Sequence, residues 1–385
     1  MNAVLEQLQS NLEQMKGWLH QLHRHPELAF QEENTSKFIA SLVKSWGYDV
    51  VEGVGKTGIV ASMTVGDGKG AIGLRADMDA LPIQECAELD YKSQHDGVAH
   101  LCGHDAHSTM LLGAAQYLAT TRNFNGTVRL IFQPAEETMG GGPAMINDGL
   151  FERFPVDAVF GMHNMPGLPR GKLHFRDHGI MAAVDNWEVE LIGKGSHGAM
   201  PELGIDSIVA GSSLVMALQT IVSRNVSPFH EAVVTVGAFL AGKAPNVVAE
   251  RAILRLSIRT TTLEDRPMVL ERVRSIIKAQ AESFGCSYEI REGAPGALLL
   301  NDPEETAKAA RIAAAAFGED NVIYPGPSIL GSEDFAFMLQ KKKGTYCLLG
   351  NGDTPMVHNP NYVFDPENLP VGAAYWVTLA EQTLR

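Results

Sequence analysis

The sequence predicts an α/β protein in two parts: a large domain built on parallel strands, interrupted by a smaller inserted one. Three observations carry this. Up to about residue 183, short buried-type apolar runs alternate with helical patterns, as in successive βαβ units. Over 184–295 the pattern changes to half-exposed strands around two helical stretches, in the order β-α-β-β-α-β of a ferredoxin-like unit. At 385 residues the chain is long enough for two domains.

Each element has its own signal. Val4, Leu5, Leu8, Leu12, Met15, Leu19 and Leu22 recur at helical spacing, so one amphipathic helix is expected over 1–22. A second is expected over 33–46, stopped by Gly47. Apolar runs at 58–65, 71–76, 127–132 and 157–162 read as buried strands, and 108–122 as a buried helix. Gly140 to Gly142 opens a short helix. In the inserted part, strands are expected at 187–192, 232–240, 247–258 and 287–291, with helices at 205–222 and 263–284. Helices at 304–317, 332–339 and 369–384 and a strand at 345–349 return to the α/β pattern. The expected domains are therefore 1–183 with 296–385, and 184–295, with Pro295-Gly296 as the return linker.

Composition removes several classes of function. A formal net charge of −14 with no basic run argues against nucleic acid and anionic membranes as partners. The N-terminus lacks the basic and apolar regions of a signal peptide, and no run of about 18 apolar residues exists for a membrane span. Four cysteines are too few for a disulfide scaffold, so a reducing cytoplasm is the expected location.

The chemistry gathers around His100-Leu101-Cys102-Gly103-His104-Asp105-Ala106-His107. Cys102 and His104 can both bind metal if other segments supply further donors. Asp77 and Asp79 follow one expected strand, Glu136 and Glu137 a second, and His163 a third. Loops at the carboxyl ends of parallel strands converge on one crevice. Adjacent residues leaving a strand face opposite sides, so one of Glu136 and Glu137 can bind metal while the other moves protons. Taken singly, each residue has a plainer reading: a solvated acidic turn for the glutamates, hydrogen-bonded loop residues for His163 and His358, a small buried side chain for Cys102. Gly140-Gly141-Gly142 lacks the Lys-Ser/Thr of a phosphate-binding loop. A zinc nucleobase deaminase is excluded because no Cys-x-x-Cys follows a His-x-Glu.

Six segments occur in family order: 75–82 (RADMDALP), 102–107 (CGHDAH), 133–137 (QPAEE), 161–164 (GMHN), 195–201 (GSHGAMP) and 331–335 (GSEDF). With them the chain resembles the amidohydrolase branch of the aminoacylase and carboxypeptidase family of dinuclear metallohydrolases. Hippurate hydrolase and the plant auxin-conjugate hydrolases belong to that branch. The resemblance spans nearly the whole chain. It implies a catalytic α/β metallohydrolase domain with an inserted ferredoxin-like lid that forms a homodimer. It implies Cys102, His104, Glu137, His163 and His358 as metal ligands for two divalent ions (Zn, Mn, Ni or Co), and Glu136 as general base. Asp79 and Asp105 are expected to orient ligands. His197 is the implied oxyanion donor across the dimer interface, and Asn246 and Arg259 the implied grip on a substrate carboxylate. Arg259 reads equally well as a surface arginine, and His197 as a hydrogen-bonded turn residue. The expected activity is hydrolysis of the amide bond of small N-acyl-L-amino acids. The alternatives are a metallo-dipeptidase or aminopeptidase of the same family, and a non-catalytic metal-binding protein. Relatives usually carry His-Ala-Cys where this chain has His100-Leu101-Cys102, a change that removes no ligand.

Overall fold

The computed structural model describes residues 3–385. The chain divides into two compact units, Met1–Ile180 with Leu300–Pro327 and Asp334–Arg385, and Met181–Leu299 with Ser328–Glu333. The return is thus not a single linker at Pro295-Gly296. Residues 328–333, expected in the large domain, pack with the smaller unit, where Ala182 N–H donates to the carbonyls of Ile329 and Gly331.

The first unit is built on a sheet of eight strands in the order Asp49–Val54, Gly58–Val65, Gly126–Gln133, Ala71–Asp77, Ala158–Met165, Gly344–Gly350, Leu173–His174, Val322–Ile323. The four strands from Gly126–Gln133 to Gly344–Gly350 are mutually parallel. The sheet is nonetheless mixed, because Gly58–Val65 runs antiparallel to Gly126–Gln133 and Asp49–Val54 antiparallel to Gly58–Val65. The edge strand Asp49–Val54 was not expected. It is interrupted at Gly53 by a register shift, and its residues are mostly exposed or half-buried, so it lacks a buried strand's apolar run. The strands Leu173–His174 and Val322–Ile323 are too short to show a period.

Two helices lie at the centre of the core. His104–Thr121 packs against Leu369–Thr383, and both are buried on nearly every face, as helices covered on all sides must be. Their approach is close: a Cβ at Gly372 would fall 2.1 Å from Met110 Sδ. The helix begins at His104, not at 108 as the polar sequence suggests, because Gly103 supplies a left-handed residue (φ 96°) just before it. At the N-terminus, the single expected helix is two, Ala3–Ser10 and Leu12–Arg24, divided at Asn11. Asparagine competes with the helix backbone for hydrogen bonds.

The second unit follows the split order. Ala183–Ile192, Ser207–Arg224, Ala232–Ala241, Arg251–Thr260, Asp265–Ser283 and Ser287–Glu292 give β-α-β-β-α-β. Its antiparallel sheet has the order Ala232–Ala241, Arg251–Thr260, Ala183–Ile192, Ser287–Glu292. Asp206 caps the first helix through Ile208 N–H and Val209 N–H. That helix buries Ala210, Leu214, Leu218 and Ile221 at helical spacing and leaves Val209 and Met216 exposed. It is the one described helix long and apolar enough to cross a membrane by length and composition, with 33% of that stretch buried. The strand expected over 247–258 is two: Val247–Val248, paired with Ser196–His197, and Arg251–Thr260.

Candidate metal centre

The parallel strands end level with one another, Asp77 opposite Gln133 and Arg75 opposite Gly161, so the loops that follow meet. Arg75 is fully buried beneath them. It donates to Asp77 Oδ2 at 2.8 Å, Gln133 Oε1 at 2.9 Å and Asp334 Oδ1 at 3.2 Å. Removing one member of such a buried network would strand the others' charge.

Five donors from distant segments lie together. Cys102, His104 and His163 offer ligand atoms within 4.8 Å of one another, and so do Cys102, Glu137 and His358. Cys102 is common to both groups. His104, Glu136 and Glu137 form another such group, and Asp77, His104 and His107 a fourth. His107 is less suited to metal, because Nδ1 donates to Asp77 Oδ1 at 2.6 Å and Nε2 accepts Asn164 N–H at 3.1 Å.

The donors are aimed by their hydrogen bonds. His104 Nδ1 donates to the Asp79 carbonyl at 2.9 Å and carboxylate at 3.2 Å, and His163 Nδ1 donates to the Asn164 carbonyl. Each ring therefore turns Nε2 inward, with His163 Nε2 3.3 Å from Cys102 Sγ. Burial keeps His163 neutral, its pKa well below the ordinary range. Burial, reinforced by the Glu137 charge, pushes the Cys102 thiol well up. His104 Nε2 is buried with no hydrogen-bond partner, which is costly in a folded protein, and Glu137 Oε1 faces His358 Nε2 at 3.3 Å. A divalent cation would bind both atoms and draw the thiol into its thiolate form. Soft sulfur, imidazole and carboxylate together suit zinc, cobalt, nickel or manganese.

Glu136 and Glu137 are not the end of a strand. The Gly126–Gln133 strand stops before Pro134, and Glu136–Thr138 is a 3-10 turn between two left-handed residues, Ala135 (φ 52°) and Met139 (φ 56°). The expected projection to opposite faces does not hold. Glu136 Oε2 and Glu137 Oε1 each lie 3.9 Å from His104 Nε2. A left-handed non-glycine residue costs about 1–2 kcal/mol, so the surroundings hold this turn. Asp79 contributes by accepting Glu137 N–H at 2.9 Å.

Two more residues fix the loop around Cys102. Asn164 Nδ2 donates to the Cys102 carbonyl at 2.7 Å, and Tyr362 O–H donates to Asn164 Oδ1. A Cβ at Gly103 would fall 2.4 Å from Asn164 Nδ2 and 2.7 Å from Tyr362 Oη, so only glycine fits. His358 N–H donates to the Leu101 carbonyl at 2.7 Å, tying the His358 loop to the same segment. Asp105 is a correction: it faces away from the five donors. Its carboxylate accepts from His23 Nδ1 at 2.7 Å and Ala106 N–H at 2.9 Å, and His23 Nε2 donates to Glu85 at 2.9 Å.

His197, Asn246 and Arg259 lie in the second unit. His197 pairs with Val247, and Gly198 N–H donates to the Asn246 carbonyl at 2.7 Å, so these two segments are neighbours. His197 is exposed, and its Nδ1 accepts Ala199 N–H at 3.1 Å. Arg259 lies within the strand Arg251–Thr260, which runs past the expected end at 258. Arg259 is half-buried and donates to the Leu330 carbonyl at 2.6 Å.

Parallel strands at the centre of a mixed sheet, with thiol, imidazole and carboxylate donors gathered around their carboxyl ends, are the architecture of a metal-dependent hydrolase. Residues 73–382 match the peptidase family M20/M25/M40, and the chain belongs to that family. It is 43% identical over 387 aligned positions to hippurate hydrolase of Campylobacter jejuni, covering 100% of both chains. It is 38% identical to an N-acetyl-L-cysteine deacetylase of Bacillus subtilis, covering 94% of this chain and 86% of that one. Among solved structures it resembles the Bacillus subtilis YxeP protein, described as a dinuclear metal binding peptidase of the M20 family. The TM-score is 0.85 at 32% identity, over 98% of this chain and 99% of that one.

Proposed function

We propose that the protein hydrolyses the amide bond of N-acyl-L-amino acids, releasing a carboxylic acid and a free amino acid. The observation that carries this is Cys102 shared between two donor groups, Cys102-His104-His163 and Cys102-Glu137-His358, in a chain similar end to end to a hippurate hydrolase. These residues would hold two divalent ions, which supply Lewis acidity toward a carbonyl oxygen and make water more acidic.

The chain's own groups do the rest. Glu136 takes the proton of the attacking water and delivers it to the departing amine nitrogen. Glu137, beside it, stays a ligand: burial opposes its charge, but His358 and His104 hold its carboxyl below the ordinary range. His197 of the partner subunit, its Nδ1 already occupied as an acceptor, presents Nε2–H as a donor to the oxyanion across the dimer interface. Asn246 and Arg259 bind the free carboxylate of the amino-acid part, a guanidinium suiting it bidentately.

The working form is a homodimer through the second unit. The exposed apolar side chains Val209, Met216 and Leu240 support a covering copy. Four free thiols suit the cytoplasm.

A panel of N-benzoyl and N-acetyl amino acids beside dipeptides, run on metal-loaded and chelated protein, tests the reading. Hydrolysis of the acyl amino acids only by loaded protein is expected. Preference for dipeptides would move the assignment to a peptidase.

A further inference from the structure

We propose that Glu32 is a positioning residue for Glu136: its carboxylate locks Ala135 in the left-handed conformation that swings the chain from the strand end into the catalytic turn. The inference rests on the reading of Glu136 as the proton-transfer group.

Glu32 lies more than a hundred residues upstream of the turn and is completely buried. Its Oε1 accepts Ala135 N–H and Phe30 N–H, each at 2.9 Å, and its Oε2 accepts the Thr57 hydroxyl. All three partners donate, so Glu32 serves as an acceptor on both oxygens. Both amide donors, Phe30 (φ 61°) and Ala135 (φ 52°), are left-handed, and so is Lys56 (φ 83°) beside Thr57. Residues other than glycine avoid this region. Three such segments meeting on one carboxylate indicate a conformation imposed from outside each segment.

At Ala135 the clamp closes from both sides. Its N–H is held by Glu32, and its carbonyl accepts Gly141 N–H and the Thr138 hydroxyl, each at 3.1 Å. Phe30 completes the cradle: a Cβ at Gly140, just past the turn, would fall 3.3 Å from its ring, and Lys56 Nζ lies 4.1 Å above that ring. Glu136 is the next residue after Ala135, so its side-chain direction follows directly from that backbone. An alanine here needs the clamp. A glycine would adopt the same conformation unaided.

This predicts a coupling between Glu32 and Ala135. Glu32→Ala should lower kcat by about 10–100-fold through misplacement of the reacting group, with KM and bound metal unchanged. Glu32→Gln, which keeps an acceptor for both amides, should recover most of that loss. In an Ala135→Gly background the Glu32→Ala loss should shrink several-fold, and the same coupling should appear in the melting midpoints of the four metal-free variants. Equal kcat losses in both backgrounds, a loss that only tracks lost metal, or full activity in Glu32→Ala would overturn the proposal. Glu136→Gln is the control. If it is inactive while Glu32→Ala is fully active, the positioning role falls and the reading of Glu136 stands. If Glu136→Gln is itself active, the reading of Glu136 falls first, and this role with it.

Discussion

His104 gives its Nδ1 proton to Asp79, 2.9 Å from the carbonyl and 3.2 Å from the carboxylate, while the second carboxylate oxygen of Asp79 accepts Glu137 N–H at 2.9 Å. One aspartate thus aims a ring nitrogen and anchors the glutamate opposite. Outer groups of this kind typically contribute 10–100-fold in metal affinity. Asp79→Ala is expected to weaken zinc binding by about that factor in a chelator competition. Unchanged affinity would contradict the assignment of His104 as a ligand.

The glutamate pair should separate by substitution. Glu136→Gln is expected to keep its metal and lose about 10²–10⁴ in kcat, the range of general acid–base catalysis. Glu137→Gln should instead lose metal first. Metal analysis beside kinetics distinguishes them, and the reverse pattern would exchange the two roles.

His23 sets a pH dependence of stability. Burial works against its charge, but Asp105 and Glu85 outweigh this and raise its pKa from 6.5 to about 9. A raised pKa means the folded state holds the proton more tightly. The stabilisation, on the order of 3 kcal/mol, is complete below pH 6.5 and lost as pH climbs through about 9. Chemical denaturation at pH 6, 8 and 10 should show this decline, and His23→Gln should flatten it. An equal decline in the variant would assign it elsewhere.

Arg259→Ala is expected to raise KM for acyl amino acids by about 10–100-fold, the worth of a charged hydrogen bond, and to change little for an N-acyl amine lacking the carboxylate. A uniform effect on both substrates would make Arg259 a structural residue, held by Leu330.

What could be read in the sequence follows from what each residue does. Cys102, His104, His163 and the two glutamates stand out because thiol, imidazole and carboxylate groups sit in or just outside apolar strands and a buried helix, where burial without a partner is costly. Glu32 gave no such sign. Its partners are backbone amides of residues distant in the chain or locally irregular, and a carboxylate that binds backbone leaves no pattern of side chains to recognise. Asn164 adjoins His163 in the sequence, but its link to the Cys102 carbonyl depends on the fold. Asp105 was misread because adjacency to a ligand in sequence is not adjacency in direction: on the first turn of a helix it points to His23. The turn at Glu136 differed from a strand end because the left-handed Ala135 is imposed by tertiary contacts and not by its own preference.

His358 differs from the other four donors in being open to water. Its side chain is 49% exposed, against 11% for Glu137, while Cys102, His104 and His163 are buried. It sits on a loop, whereas His104 opens a helix wedged against Gly372 and cannot shift without disturbing the core. The consequence is kinetic. An ion held by Cys102, Glu137 and His358 would have a solvated imidazole among its ligands, whereas one held by Cys102, His104 and His163 would have only buried ones. Exchange against isotopically labelled zinc should therefore run in two phases, the faster accelerated by His358→Ala and the slower indifferent to it.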